Sequence, residues 1–149
     1  MRETTAQDCL SLHNTLRAKH GVGPLTVSRK LEKFAAMRAQ QLAKTDIFAH
    51  PKKLAYGENL YYLKGRNPTC ADAMNAWYNK EIGLYNWHNP GFSHPTGHFT
   101  QVLWKATTHV GCASSQSPRT RRIYIVCNYD PPGNVHTQFR ANVPPPMYY

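Results

Sequence analysis

The sequence predicts an α+β domain, with helices first and an antiparallel sheet packed beneath them. Two observations carry this. Apolar residues recur at helical spacing through much of the first 84 residues, and the strongest β-forming runs lie after residue 98. A third narrows the setting: four cysteines occur with no C-x-x-C pair among them.

Gln7 to His20 reads as a helix, because Cys9, Leu12, His13, Leu16 and His20 share one face. Gly21-Val22-Gly23-Pro24 stops it. Ser28 is placed to cap a second helix running to about Lys44, whose apolar face is Leu31, Phe34, Ala35, Ala39 and Leu42. From Thr45 to Asn67 periodicity is lost. Thr69-x-x-Asp72 is a capping box for a third helix, Cys70 to about Leu84. Its apolar stripe carries Glu81 beside Trp77, and a carboxylate so placed must find a partner.

Asn86 to Gly97 is rich in Asn, Pro, Gly and His and reads as a loop. Three β-like runs follow, Phe99–Trp104, Val110–Ser114 and Arg122–Tyr129, with Ser115–Arg121 as a polar, flexible link. No repeat interrupts the chain. A single domain is expected over 1–149, with a core of about 7–142 and an extended, Pro-rich tail at 143–149.

Lys and Arg number 18 against 8 Asp and Glu, so the net charge is +10 with the histidines neutral. That charge favours anionic partners, acidic membrane surfaces among them. The basic residues are scattered and the densest group, Arg119, Arg121 and Arg122, reads as a solvated loop, so no nucleic-acid partner is expected. No apolar run reaches the roughly 18 residues of a membrane span. The first eight residues are polar and do not read as a signal peptide.

Cys9, Cys70, Cys112 and Cys127 allow three pairings. Cys112 and Cys127 lie on neighbouring strand-like runs and are expected to pair, leaving Cys9 with Cys70. A bridge closing a loop of about 15 residues is worth about 3 kcal/mol. Two bridges imply an oxidising compartment and a secreted chain; four buried thiols in a cytosolic protein are the alternative.

Nucleophile-elbow, phosphate-loop and dinucleotide patterns are absent. His94 and His98 stand four apart, but Pro95 and Gly97 break the helix that a zinc pair at this spacing requires. The informative pattern is an ordered set: His13-Asn14-x-x-Arg17, Phe48-Ala49-His50-Pro51, Tyr56-Gly57-Glu58-Asn59-Leu60, Trp77-Tyr78-x-x-Glu81, Gly97-His98-Phe99-Thr100-Gln101-Val102-Leu103-Trp104 and Val126-Cys127-Asn128-Tyr129. Together these resemble the CAP superfamily of cysteine-rich secretory, antigen 5 and pathogenesis-related proteins, from about Cys9 to Asn142.

The resemblance implies a three-layer α-β-α sandwich. It also implies a cleft where His50, Glu58, Glu81 and His98 meet, able to hold zinc or another divalent cation. A binding or structural cleft is favoured over an active hydrolase. The run Trp77-Tyr78-Asn79-Lys80-Glu81 is one residue longer than the family pattern. In an α-helix the extra residue turns Glu81 by about 100°; a local π-bulge would absorb it. The resemblance further implies sterol binding at an aromatic loop, here Tyr85, Trp87, Pro90 and Phe92, and a fatty-acid groove between two helices. A protein receptor is the remaining partner class.

Overall fold

The structure is a computed structural model that describes residues 3–147. Its centre is a four-stranded sheet in the order β1 (Thr26–Val27), β3 (His109–Gln116), β4 (Ile123–Asp130), β2 (Gly57–Leu63). β3 and β4 form an antiparallel hairpin with Cys112 opposite Cys127. β2 flanks β4 antiparallel with Glu58 opposite Asn128, whereas the short β1 joins β3 in parallel.

The alternation of β4 sets the layers. Tyr124 and Val126 face one side and pack with Ala35, Ala39 and Leu42 of α2 (Arg29–Thr45). Ile125, Cys127 and Tyr129 face the other. There they meet α1 (Glu3–Lys19), α3 (Cys70–Met74) and α4 (Gly97–Leu103). With helices on both faces the fold is a three-layer α-β-α sandwich, the architecture the resemblance implies. Gly111 lets α2 settle onto β3, since a Cβ there would overlap the backbone of Leu31 and Glu32.

Both disulfides form as paired from the sequence. Cys9–Cys70 ties α1 to α3 across a sequence separation of 61, worth about 4 kcal/mol in the chain-entropy account. Cys112–Cys127 crosses the β3–β4 hairpin.

Several expectations are corrected. Phe99–Trp104 is no strand; Gly97–Leu103 is α4, with every residue from Phe99 to Leu103 buried. Burial on all sides overrides the β-forming composition, and the Glu81 carboxylate accepts the Phe99 N–H (2.9 Å) in the first turn. The third helix does not run unbroken to Leu84: α3 passes into a π-helical segment at Asn75–Asn79, then a 3₁₀ turn at Ile82–Leu84.

β2 lies in the stretch read as aperiodic. Its inward residues Glu58 and Asn59 are polar and satisfied by partners, so no apolar alternation marks it. Ser115–Arg121 is not a loose link. β3 continues to Gln116, and the turn beyond is cross-braced by Ser117, Thr120 and Asp46. Val143, directly after α5 (Phe139–Asn142), is buried. The tail is held at Pro144 and Met147 by His20 and Lys19. Met1, Arg2 and the tail's last residues, Tyr148 and Tyr149, lie outside the described residues.

Candidate functional site

Glu58 enters from β2 with its side chain fully buried. Arg38 of α2 grips it with two hydrogen bonds, Nε to Oε2 at 2.8 Å and Nη2 to Oε1 at 3.0 Å. Asn128 Nδ2 donates to Oε2 from the facing strand at 3.1 Å. His50, on the loop after α2, places Nδ1 at 3.1 Å from Oε1. Burial alone would raise the Glu58 pKa, but the hydrogen bonds from His50, Arg38 and Asn128 outweigh it and hold the carboxyl at about 2. Asn128 Oδ1 is left as a buried acceptor with no partner.

Glu81 follows the π-helical segment. That segment absorbs the extra residue after Trp77-Tyr78, and Glu81 Oε2 accepts from His98 Nδ1 at 2.7 Å. The Trp77 ring stacks on His98 at 6.3 Å between centroids and 14° between planes, while Trp77 Nε1 donates to Leu60 O (3.0 Å). An open cleft of about 210 Å³ lies here, walled by Phe48, Leu60, Tyr62, Ala76 and Trp77, with Glu81 and His98 at its edge.

His50 with Glu58 and His98 with Glu81 thus form two imidazole–carboxylate pairs, of which the second lines the cleft. Each carboxylate engages its imidazole at Nδ1 and leaves Nε2 for another partner, the orientation that metal-binding histidines use. The pairs do not close into one cage. Among the described residues, the only three His, Cys, Asp or Glu ligand atoms within 4.8 Å of one another belong to Cys9, Cys112 and Cys127. All three are disulfide sulfurs and offer no thiolate. The donor chemistry of His50 and His98 fits a divalent ion; a three- or four-residue protein cage is not assembled.

The aromatic loop borders a separate, larger cavity of about 580 Å³. Tyr85, Pro90 and Phe92 line it, joined by Leu84, Phe139 and Arg140. Tyr85 is buried; burial raises its pKa, against the opposing pull of Arg140 and the Gly91 backbone. Trp87 does not line this cavity. It packs on Tyr85 (4.7 Å) and Phe99 (6.0 Å) and stacks on His20 (6.4 Å). A third opening, about 510 Å³, lies between α1 and α2, but Gln7, Arg29 and Glu32 make much of its wall polar.

The model of the family described as "CAP: Cysteine-rich secretory protein family" matches residues 10–129. The chain belongs to the CAP family. It is 39% identical over 157 residues to Repressed by EFG1 protein 1 of Candida albicans, covering 95% of this chain and 54% of that protein. It is 38% identical over 135 residues to pathogenesis-related protein PRMS of Zea mays, covering 89% and 80%. The CAP chain spans about half the length of the two fungal relatives it matches at 54% and 47% coverage. Its fold is shared with venom allergen-like protein 4 of Schistosoma mansoni, with a TM-score of 0.74, 20% identity and coverage of 98% and 97%. It is shared also with NaASP2, solved with Zn2+, with a TM-score of 0.74, 24% identity and coverage of 91% and 84%.

Two buried polar groups of α1 in this CAP domain have partners that periodicity does not disclose. Arg17, a buried cation on α1, donates to the carbonyls of Gly23, Val102, Trp104 and Thr107 at 2.7–3.1 Å. His13 donates from Nδ1 to Cys9 O and accepts at Nε2 from the Tyr129 hydroxyl, both at 2.7 Å. Asn59 Nδ2 extends that chain from Tyr129 to His98 O, so the cleft backbone is wired to α1. The motif His13-Asn14-x-x-Arg17 marks both positions without disclosing these partners. Phe139 and Arg140 carried no signal, because they reach the loop cavity from a distant part of the chain.

Proposed function

We propose that this CAP domain is an extracellular binder of small lipids, a sterol foremost, held in the cavity beside the aromatic loop. The observation that carries this reading is the 580 Å³ cavity, with Tyr85, Pro90, Phe92 and Phe139 on its wall. Its size lies within the range of small-molecule sites, and Tyr85, Phe92 and Phe139 offer rings to a flat hydrocarbon skeleton on a wall shared with Asn86, Asn89, His136 and Arg140, which can meet its polar end. Two disulfides agree with an oxidising extracellular setting. Phe92 is 59% exposed, so it can be shortened without opening the core.

Equilibrium binding of labelled cholesterol to the oxidised protein tests the proposal. Saturable binding is expected, weakened about tenfold by Phe92→Ala, as the loss of a contacting ring predicts. Unchanged affinity in that variant removes the loop from the site. Competition by a fatty acid distinguishes a sterol site from a general lipid site.

A second reading, divalent-metal binding at the cleft, draws on the two Nδ1-oriented imidazoles and on the relative solved with Zn2+. His50 and His98 would be the protein ligands, and a bound ion would supply a fixed positive charge there. One zinc per protein at neutral pH, lost in the His50→Ala/His98→Ala variant, is the expected result. Equal zinc uptake by wild type and variant excludes the cleft. A chelator arm in the cholesterol experiment tells whether the two sites are coupled.

A further inference from the structure

We propose that the end of the sheet formed by the α2–β2 loop and the β3–β4 turn is a docking face for anionic membrane surfaces. Three apolar side chains are exposed together there: Ile47 (65%), Phe48 (44%) and Tyr62 (37%). Phe48 and Tyr62 are in edge contact at 4.9 Å, and Ile47 precedes Phe48. Cations surround them. Arg122 lies over the Tyr62 ring at 4.5 Å. Arg119 reaches α2, donating to Thr45 O (3.0 Å) beside Lys44. Arg121 borders the same sheet end, across a shallow recess from Arg66.

The turn presenting these arginines is rigid. Ser117 Oγ accepts from the N–H groups of Arg119 and Thr120, and Gln116 Nε2 donates to Arg121 O. Asp46, the left-handed residue capping α2, accepts from the hydroxyls of Ser117, Thr120 and Tyr124. Its carboxylate is thereby turned inward, only 10% of the side chain being exposed, and pairs with Arg119 Nη2 at 3.4 Å. Asp72, the other acid nearby, is held by Arg66 through two hydrogen bonds of 2.9 Å. With Arg119 and Arg66 each paired to one of these acids, what faces solvent is an apolar centre flanked by Lys44, Arg121 and Arg122.

A soluble polyanion would need only the cations. An anionic bilayer also takes the apolar centre into its headgroup region, so the combination favours the membrane. This face uses residues apart from the lipid cavity. Vesicle binding without sterol binding, or the reverse, therefore separates this proposal from the preceding one.

The test is co-sedimentation with phosphatidylcholine vesicles, with and without phosphatidylserine. Binding is expected only with phosphatidylserine and is lost at high salt. Lys44→Gln/Arg121→Gln is a suitable variant, because both residues give only backbone groups to the bracing described above. It should bind on the order of 25-fold more weakly, at roughly fivefold per cation. Ile47→Ser should weaken vesicle binding roughly tenfold while leaving binding to heparin unchanged. Equal sedimentation with and without phosphatidylserine overturns the proposal. So does an Ile47→Ser variant that binds vesicles like the wild type, the outcome of a polyanion site with no membrane contact.

Discussion

Arg17, Glu58 and His13 are buried ionisable groups satisfied in three ways. Arg17 has four carbonyls and no carboxylate among its hydrogen-bond partners, and burial draws its pKa down to about 10. Glu58 keeps its charge through Arg38, His50 and Asn128. His13 is held neutral by burial, its pKa lowered from 6.5 to about 4. The unfolded chain therefore takes up a proton on His13 as pH falls through 6.5, while the folded chain does not until about 4. That stability is complete above 6.5 and drains away between 6.5 and 4, roughly 3 kcal/mol in all. Glu58 acts lower: its contribution is present above 4.5 and is lost as pH falls towards 2. Urea midpoints should drop steadily from about pH 7 to about pH 4. His13→Gln, less stable at neutral pH, should show a shallower fall over that interval. The sequence placed His13 on the inner face of α1 by spacing alone. It hid Arg17, because a charged residue one turn further on reads as solvent-facing until its carbonyl partners are brought in from α4 and the loop after it.

At the scale of elements, α2 owes its position to β3. Gly111 sits beneath Leu31 and Glu32 with no room for a methyl group. Gly111→Ala must push the first turn of α2 off the sheet, and we expect a loss of about 3 kcal/mol, the upper range for overpacking. Thermal or urea unfolding measures it; a loss below about 0.5 kcal/mol, ordinary for a surface substitution, contradicts the close approach. α2 was legible because Ser28 and the apolar stripe from Leu31 to Leu42 agree with each other. α4 was not. Its β-branched and aromatic residues suit a strand, and the carboxylate that caps it comes from Glu81, 18 residues earlier. No local pattern encodes a cap supplied by another element. The π-helical segment was legible only as a departure, one residue too many after Trp77-Tyr78 set against the family pattern.

Across the whole molecule, periodicity suggested helices over a sheet, but the two-sided covering of that sheet came from the ordered motifs. Strand β4 explains why both faces need helices: six consecutive residues, Tyr124–Tyr129, are buried, so neither side can face water. Composition gave a net positive charge without a location. Folding gathers Lys44, Arg119, Arg121 and Arg122 at one sheet end from α2 and the β3–β4 turn, a convergence no linear reading contains. The site divides likewise. His50, Glu58, Glu81 and His98 were named from motifs, yet their arrangement as two separate pairs depends on which face of β2 and which turn of α4 they occupy.

The stacking of Trp77 on His98 turns the indole into an optical gauge of the cleft. Trp104 is buried beside Phe139, and Trp87 rests on His20, so each indole reports a different neighbourhood. A metal ion bound at the His98 ring would place positive charge against the Trp77 π-system and alter its emission. Occupancy of the cleft can therefore be followed by intrinsic fluorescence on unlabelled protein, with Trp77→Phe as the silent control.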